Sequence, residues 1–226
     1  MAVDLHGYKY SVYAWIARLT LREKGVNWRW HEIDPFAPDL PAAYLDLHPF
    51  GRVPVLVHDG ATIYETAAIT QYIDEAFDGP VLQPTAPLAR ARMRQVIGVV
   101  DSYAYWPLVR QVFSHGAFQP AAGVACDQGE IETGLAAAPR VLLALDNLAD
   151  ELDAASPTLA DLHLAPMIAY FTTAPAAAEM LHKYPAIAAW WATIRKRESV
   201  TATWPPLPRS DPTAPTGETD ERGAQK

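Results

Sequence analysis

What most limits the fold of this chain is a change of period near residue 77. Upstream, strand-like and helix-like patterns alternate; downstream, to about Val200, apolar residues recur every three or four positions and no strand is convincing. One uniform architecture cannot satisfy both patterns. The proline-rich stretch DGPVLQPTAPL resists helix between them. The organisation expected is therefore an α/β domain over 1–77, a linker over 78–87 and an all-helical domain over 88–204. The segment 205–226 is rich in proline and mixed charge with few apolar groups, and it is expected to be disordered.

Within the first domain, Val3 to His6 suits a short strand. Val12, Trp15, Ile16 and Leu19 then repeat at helical spacing until Gly25 stops the helix. VNWRWHEI alternates Val26, Trp28 and Trp30 with polar residues, as in a strand buried on one face, which is expected to lie parallel to the first. VPVLVH and ATIYE flank Asp59-Gly60, a pair suited to the positive φ angles of a tight hairpin turn, so these strands must be antiparallel. Thr66 to Ala76 completes the order β-α-β, an irregular stretch, then β-β-α, which is thioredoxin-like.

The second domain opens with a helix expected over about Leu88 to His115, kinked or divided by Pro107. Another is expected over Glu130 to Leu152, started near Asp127 and weakened by Gly134 and Pro139. Thr158 and Asp161 spell a capping box before the apolar run LHLAPMIAYF, and Pro185 opens a last helix to Arg197.

Composition removes several classes of function. A net charge of −8 is the wrong sign for a protein held mainly by phosphate backbones, so nucleic acid is not an expected partner. There is no run of 18 apolar residues, and MAVDLHGYKY lacks the pattern of a signal peptide, which places the protein in the cytoplasm without a membrane partner. The single cysteine, Cys126, excludes dithiol chemistry, and the seven histidines show no metal-binding spacing. No phosphate-cradling loop and no GxSxG motif is present, so metal, nucleotide and serine-hydrolase readings have no support.

Four stretches resemble, in order, the cytosolic glutathione transferase family. HGYKYSVYAWIARLTLREKGV is similar to its first strand-loop-helix, and HPFGRVPVLVHDGATIYETAAITQYI to its glutathione-binding half. TLADLHLAP resembles the capping box of its helical domain, and LHKYPAIAAWWATIRKRESV its usual last helix. The resemblance implies an α/β thioredoxin-like domain followed by an all-α bundle, a homodimer, glutathione as co-substrate without a metal, and attack of its thiolate on a hydrophobic electrophile. The alternative is a non-catalytic module of the same fold that binds glutathione or a hydrophobic ligand for regulation or assembly.

The resemblance also implies roles. Ser11, before the first helix, matches the catalytic position, where a hydroxyl and a helix N-terminus favour a thiolate. An ordinary helix cap is the competing role for Ser11, and Tyr10 is its main rival as hydroxyl donor, with Tyr8 and Tyr13 behind. Val53-Pro54 matches a pair whose proline is cis and whose exposed backbone meets the cysteinyl unit. Glu65 and Thr66 match the acid-hydroxyl pair that holds the γ-glutamyl end, and Arg52 the polar residue beside Val53. Many relatives place a basic residue between Asp34 and Gly51, but only His48 occurs here, leaving Arg52 or Lys9 as substitutes. On the long helix Tyr103, Trp106, Arg110 and Phe113 share a face by α-helical spacing and are expected to border the acceptor site, where Arg110 suits an acidic or polarised substrate. Asp101 is expected to be solvated or structural.

Overall fold

The computed structural model describes residues 2–209. From position 210 on, the segment expected to be disordered lies outside the described residues. Strands β1 (Val3–Gly7), β2 (Arg29–Glu32), β3 (Val55–His58) and β4 (Ala61–Tyr64) form one sheet in the order β2-β1-β3-β4. β1 runs parallel to β2 and antiparallel to β3, and β3 pairs antiparallel with β4. The turn between β3 and β4 has φ of 49° at Asp59 and 84° at Gly60, the geometry that the Asp-Gly pair tolerates. Helices α1 (Val12–Glu23), the short α2 (Ala42–Leu45) and α3 (Thr66–Ala76) complete this half.

Helix α1 serves two cores. Its Val12, Trp15, Ile16 and Leu19 face the helical half, while Ala17 and Leu21 join Val3, Leu5, Leu56, Ile69 and Ile73 beside the sheet. Trp15 is fully buried, and its indole N–H donates to Thr203 Oγ1 at 2.8 Å. Between the halves, residues 78–86 carry neither helix nor strand, yet Leu82 is buried and its carbonyl accepts from Leu159 N. Lys24 Nζ sits 3.1 Å from Asp74 Oδ1 in a buried ion pair and also donates to the Pro80 carbonyl, while Asp74 accepts from Leu82 N. The expected linker is thus anchored by a charge pair that is costly to break.

The helical half comprises α4 (Pro87–Val99), a π-helix (Val100–Phe118), the short α5 (Gln119–Ala121), α6 (Gln128–Asp146), a 3₁₀ turn (Ala149–Glu151), α7 (Leu159–Phe171), α8 (Pro175–Leu181), α9 (Pro185–Ile194) and α10 (Glu198–Thr203). Helix α7 is buried along its whole length. Its capping box forms as expected, and Asp161 also accepts from Asp153 N and Trp190 Nε1, so the buried carboxylate is fully supplied with donors. Asp127 caps α6.

Two expectations need correction. The long helix does not divide at Pro107; it changes from α to π winding at Val100, and Pro107 lies inside the π segment. A wider i to i+5 turn alters which side chains share a face. Second, Gly134 is not a weak point of α6. A Cβ there would lie 2.8 Å from the Pro107 carbonyl, from Gln111 Cβ and from Val112 Cγ2, so the glycine permits the close approach of α6 to the π-helix.

A matched pair of substitutions tests this contact. Gly98, exposed in α4, has open space around an added methyl. Gly98→Ala is expected to stabilise the protein by about 0.5–1 kcal/mol in urea unfolding, through helix propensity. Gly134→Ala should instead destabilise it by about 1–3 kcal/mol through overpacking.

Candidate functional site

A cavity of about 860 Å³ lies where the N-termini of α1 and α3 face the π-helix, within the size range of small-molecule sites. One wall comes from the α/β half. Ser11 caps α1, its Oγ accepting from Ala14 N at 3.2 Å. Because that bond uses a lone pair, the hydroxyl proton remains available to an acceptor in the cavity. The positive end of α1 lies behind it.

Opposite Ser11, the Val53-Pro54 bond is cis, and sheet pairing of β3 begins only at Val55. The N–H and C=O of Val53 therefore lie outside the ladder and can pair with an extended ligand as an added strand would. Tyr44 supports this turn by donating its hydroxyl to the Arg52 carbonyl at 2.7 Å. Arg52 and Glu65 are exposed at the rim, and Thr66 is buried as the first residue of α3. Glu65 has a φ of 71°, a backbone conformation L side chains rarely adopt. Such strain at a cavity residue is a mark of functional positions.

His48, the lone basic residue between Asp34 and Gly51, also lines the cavity, but it is buried and its Nδ1 accepts from Phe50 N. Burial pushes the imidazole below its usual pKa, with Glu65 opposing and Arg52 reinforcing the shift. A group held neutral cannot replace a fixed positive charge, which leaves Arg52 for an anionic ligand end at this rim. Lys9 is not among the cavity residues; its ammonium lies 4.7 Å over the Tyr10 ring.

The second wall is the π-helix. Asp101, Tyr105, Trp106, Val109, Arg110 and Phe113 line it, followed by Ser114 and Phe118. These positions repeat every four or five residues, the spacing of a π-helical face. Tyr103, expected in the acceptor site, is 65% exposed and lies outside the cavity lining. The expectation failed because α-helical spacing of three and four was applied to a segment wound more widely. Trp106, Arg110 and Phe113 do line the cavity. Phe113 stacks on Tyr170 with ring centroids 4.0 Å apart.

Tyrosines crowd the space between the walls. Tyr10 packs edge-on against Tyr8 and Phe118, and with Phe113 it also borders a smaller cavity of about 270 Å³ closed by Trp204, Pro205 and Leu207. Burial pushes the Tyr8 phenol up to about 12 and raises that of Tyr13, to which the Asp101 charge adds. Neither supplies a phenolate near neutral pH. Sequence reasoning missed Pro35, Phe36 and Phe50, whose loops have no periodic signal, and the inward position of Asp101. Asp101 Oδ1 lies 3.7 Å from the buried His163 Nδ1, and His163 Nε2 is 3.0 Å from Thr70 Oγ1. Among the described residues, no group of three or more His, Cys, Asp or Glu side chains is placed to hold a metal ion.

Comparison with known proteins agrees with this geometry. Residues 5–81 match the model of the glutathione S-transferase N-terminal domain, and residues 128–198 that of the C-terminal domain. A glutathione S-transferase of Pseudomonas putida is 32% identical over 105 residues, 46% of each chain. A probable glutathione transferase of Aplysia californica is 37% identical over 82 residues, 36% of this chain and 87% of that one. Glutathione transferase F7 of Populus trichocarpa superposes with a TM-score of 0.77 at 26% identity, covering 89% of this chain and 97% of that one. The chain belongs to the glutathione S-transferase family. Its match spans about half the length of the first curated relatives.

The strained residue offers a stability test. Glu65→Gly should stabilise the protein by about 1 kcal/mol in urea unfolding, because the relief of a positive φ exceeds the added freedom of the unfolded chain.

Proposed function

We propose that this protein activates the thiol of glutathione and joins the glutathionyl group, through its sulfur, to an electrophilic carbon of a hydrophobic acceptor. The observation that carries the reading is the capped α1 terminus: Ser11 accepts from Ala14 N and keeps its proton free, in the same cavity as Val53 and Thr66. Glutathione lies along the open start of β3, its cysteinyl backbone paired with Val53. Its γ-glutamyl carboxylate meets Thr66 at the α3 N-terminus, its ammonium meets Glu65, and Arg52 holds the glycine carboxylate. The Ser11 hydroxyl donates to sulfur, and together with the α1 terminus it stabilises the thiolate relative to the thiol. The thiol proton leaves to solvent. The sulfur lone pair forms a C–S bond, and the leaving group departs with its electron pair. Tyr10, which also lines the cavity, is the second candidate hydroxyl, and the aromatic π-helix wall at Trp106 and Phe113 takes the acceptor.

We read the protein as a cytoplasmic homodimer. Its acidic charge and single cysteine suit that compartment, and no helix among the described residues is long and apolar enough to cross a membrane. Phe50, 70% exposed, and Tyr103 present apolar surface of the kind a second subunit covers. Sedimentation at micromolar protein is expected to give twice the monomer mass.

Ser11→Ala tests the chemistry. With the donor gone, the pKa of bound glutathione should rise, seen as an upward shift of the thiolate absorbance titration. The kcat/KM for a chlorodinitrobenzene should fall by about 10²-fold, as for other removed anion donors. Unchanged turnover would pass the role to Tyr10 or to the helix backbone. Glu65→Gly, although more stable, should bind glutathione about tenfold more weakly by calorimetry, since a charge-assisted bond is lost.

A further inference from the structure

The cavity lining carries two charged side chains beyond those glutathione requires, Asp101, whose Oδ1 lies 3.7 Å from His163 Nδ1, and the cation Arg110. In the binding arrangement proposed above, on which this inference rests, Thr66 and Arg52 take the two carboxylates, Glu65 the ammonium and Ser11 the thiolate. Arg110 lies on the opposite wall, about two π-helical turns beyond Asp101. Among the described residues it has no carboxylate within 4 Å and its guanidinium takes part in no protein hydrogen bond. Its one defined contact is with the Phe36 ring, 5.6 Å from the guanidinium carbon. A cation–π contact of this kind is worth about 0.5–1 kcal/mol at an exposed site, little for a half-buried cation with five unused donors.

Its surroundings suit a particular kind of ligand. Phe36 and Trp106 are 67% and 60% exposed although both line the cavity, so much of each ring is left uncovered by the protein's own packing. The Tyr105 hydroxyl makes no protein hydrogen bond among the described residues. Tyr105 and Arg110 stand one i to i+5 step apart on the π-helix and both line the cavity, and burial raises the Tyr105 phenol, with the Arg110 and Arg52 charges opposing that rise, so the hydroxyl is protonated and able to donate. A guanidinium fork beside a phenol donor matches a carboxylate, and the uncovered aromatic surface matches the ring that bears it.

We infer that Arg110 and Tyr105 form a carboxylate subsite for the acceptor, so that the preferred electrophiles are aromatic acids whose ring lies against Phe36 and Trp106. The acceptor's charge then sits on the helical wall, apart from the rim where Arg52 holds the glycine end of glutathione. The electrophilic carbon is left facing the thiolate at Ser11.

The test uses the whole protein and unreactive probes, 3,5-dinitrobenzoate and its neutral methyl ester, titrated by calorimetry without glutathione and again at saturating glutathione. The acid is expected to bind about 10- to 100-fold more tightly than the ester, the range of a charge-assisted bidentate bond, with or without glutathione. Arg110→Met should abolish that gap, Arg110→Lys should restore part of it, and Tyr105→Phe should narrow it severalfold. Equal binding of acid and ester, a gap that survives Arg110→Met, or a gap lost in Arg52→Met instead would overturn the subsite. Failure of glutathione itself to bind, with the acid preference intact, would reject the transferase reading and leave the carboxylate subsite standing.

Discussion

The architecture depends on the burial of α1 from both sides. The helix is covered along two faces by separate cores, one built on the sheet and one on the bundle. Trp15 shows the consequence. Its ring is packed by Tyr170 and Trp204, and its N–H reaches Thr203 near the end of the described chain, so residues almost two hundred apart close on a single side chain. Removing water from both faces stabilises the helix far beyond its own propensity, since most helical stability in proteins comes from packing. A helix held this firmly keeps its N-terminus, and the Ser11 cap on it, at a constant place, as the proposed stabilisation of a thiolate requires.

The cavity sits at the seam that α1 creates. Its α/β wall presents backbone groups and short polar side chains, and its helical wall presents aromatic rings and a guanidinium. This division is the one the proposed reaction uses, with a peptide on the polar wall and a ring-bearing acceptor on the aromatic one. Away from the cavity, the buried Lys24–Asp74 pair of the α/β half holds the connecting segment, through the Pro80 carbonyl, Leu82 N and Gln83 Nε2. A buried charge pair is a poor source of net stability, but it tolerates only one arrangement of the chain around it.

The π winding of residues 100–118 decides which side chains line the cavity. It turns Asp101, Tyr105 and Arg110 inward and leaves Tyr103 outside. Gly134 of α6 meets the backbone of this segment at Pro107, so the wide helix is supported from behind where it would otherwise leave a gap. The winding of the cavity wall and the packing of α6 therefore meet at one glycine, which is not itself among the cavity-lining residues.

Local chemistry alone determined much of this protein. The Asp59-Gly60 turn, the Thr158–Asp161 capping box, the alternation of Trp28 and Trp30 with polar neighbours and the period of α1 each depend on interactions within a few residues, and each is legible in the linear order. Ser11, Val53, Glu65 and Thr66 were marked instead by the family resemblance of the stretches that hold them, and the structure puts Ser11, Glu65 and Thr66 at helix N-termini and Val53 just ahead of β3. Tertiary structure decided the rest. No spacing rule could signal that His48 would be buried and held neutral, that Phe36 would stand beside Arg110, or that a proline-containing helix would be wound as π. Those outcomes arise from contacts between segments far apart in the chain, where packing against α6 and α1 outweighs the local preferences that a sequence displays.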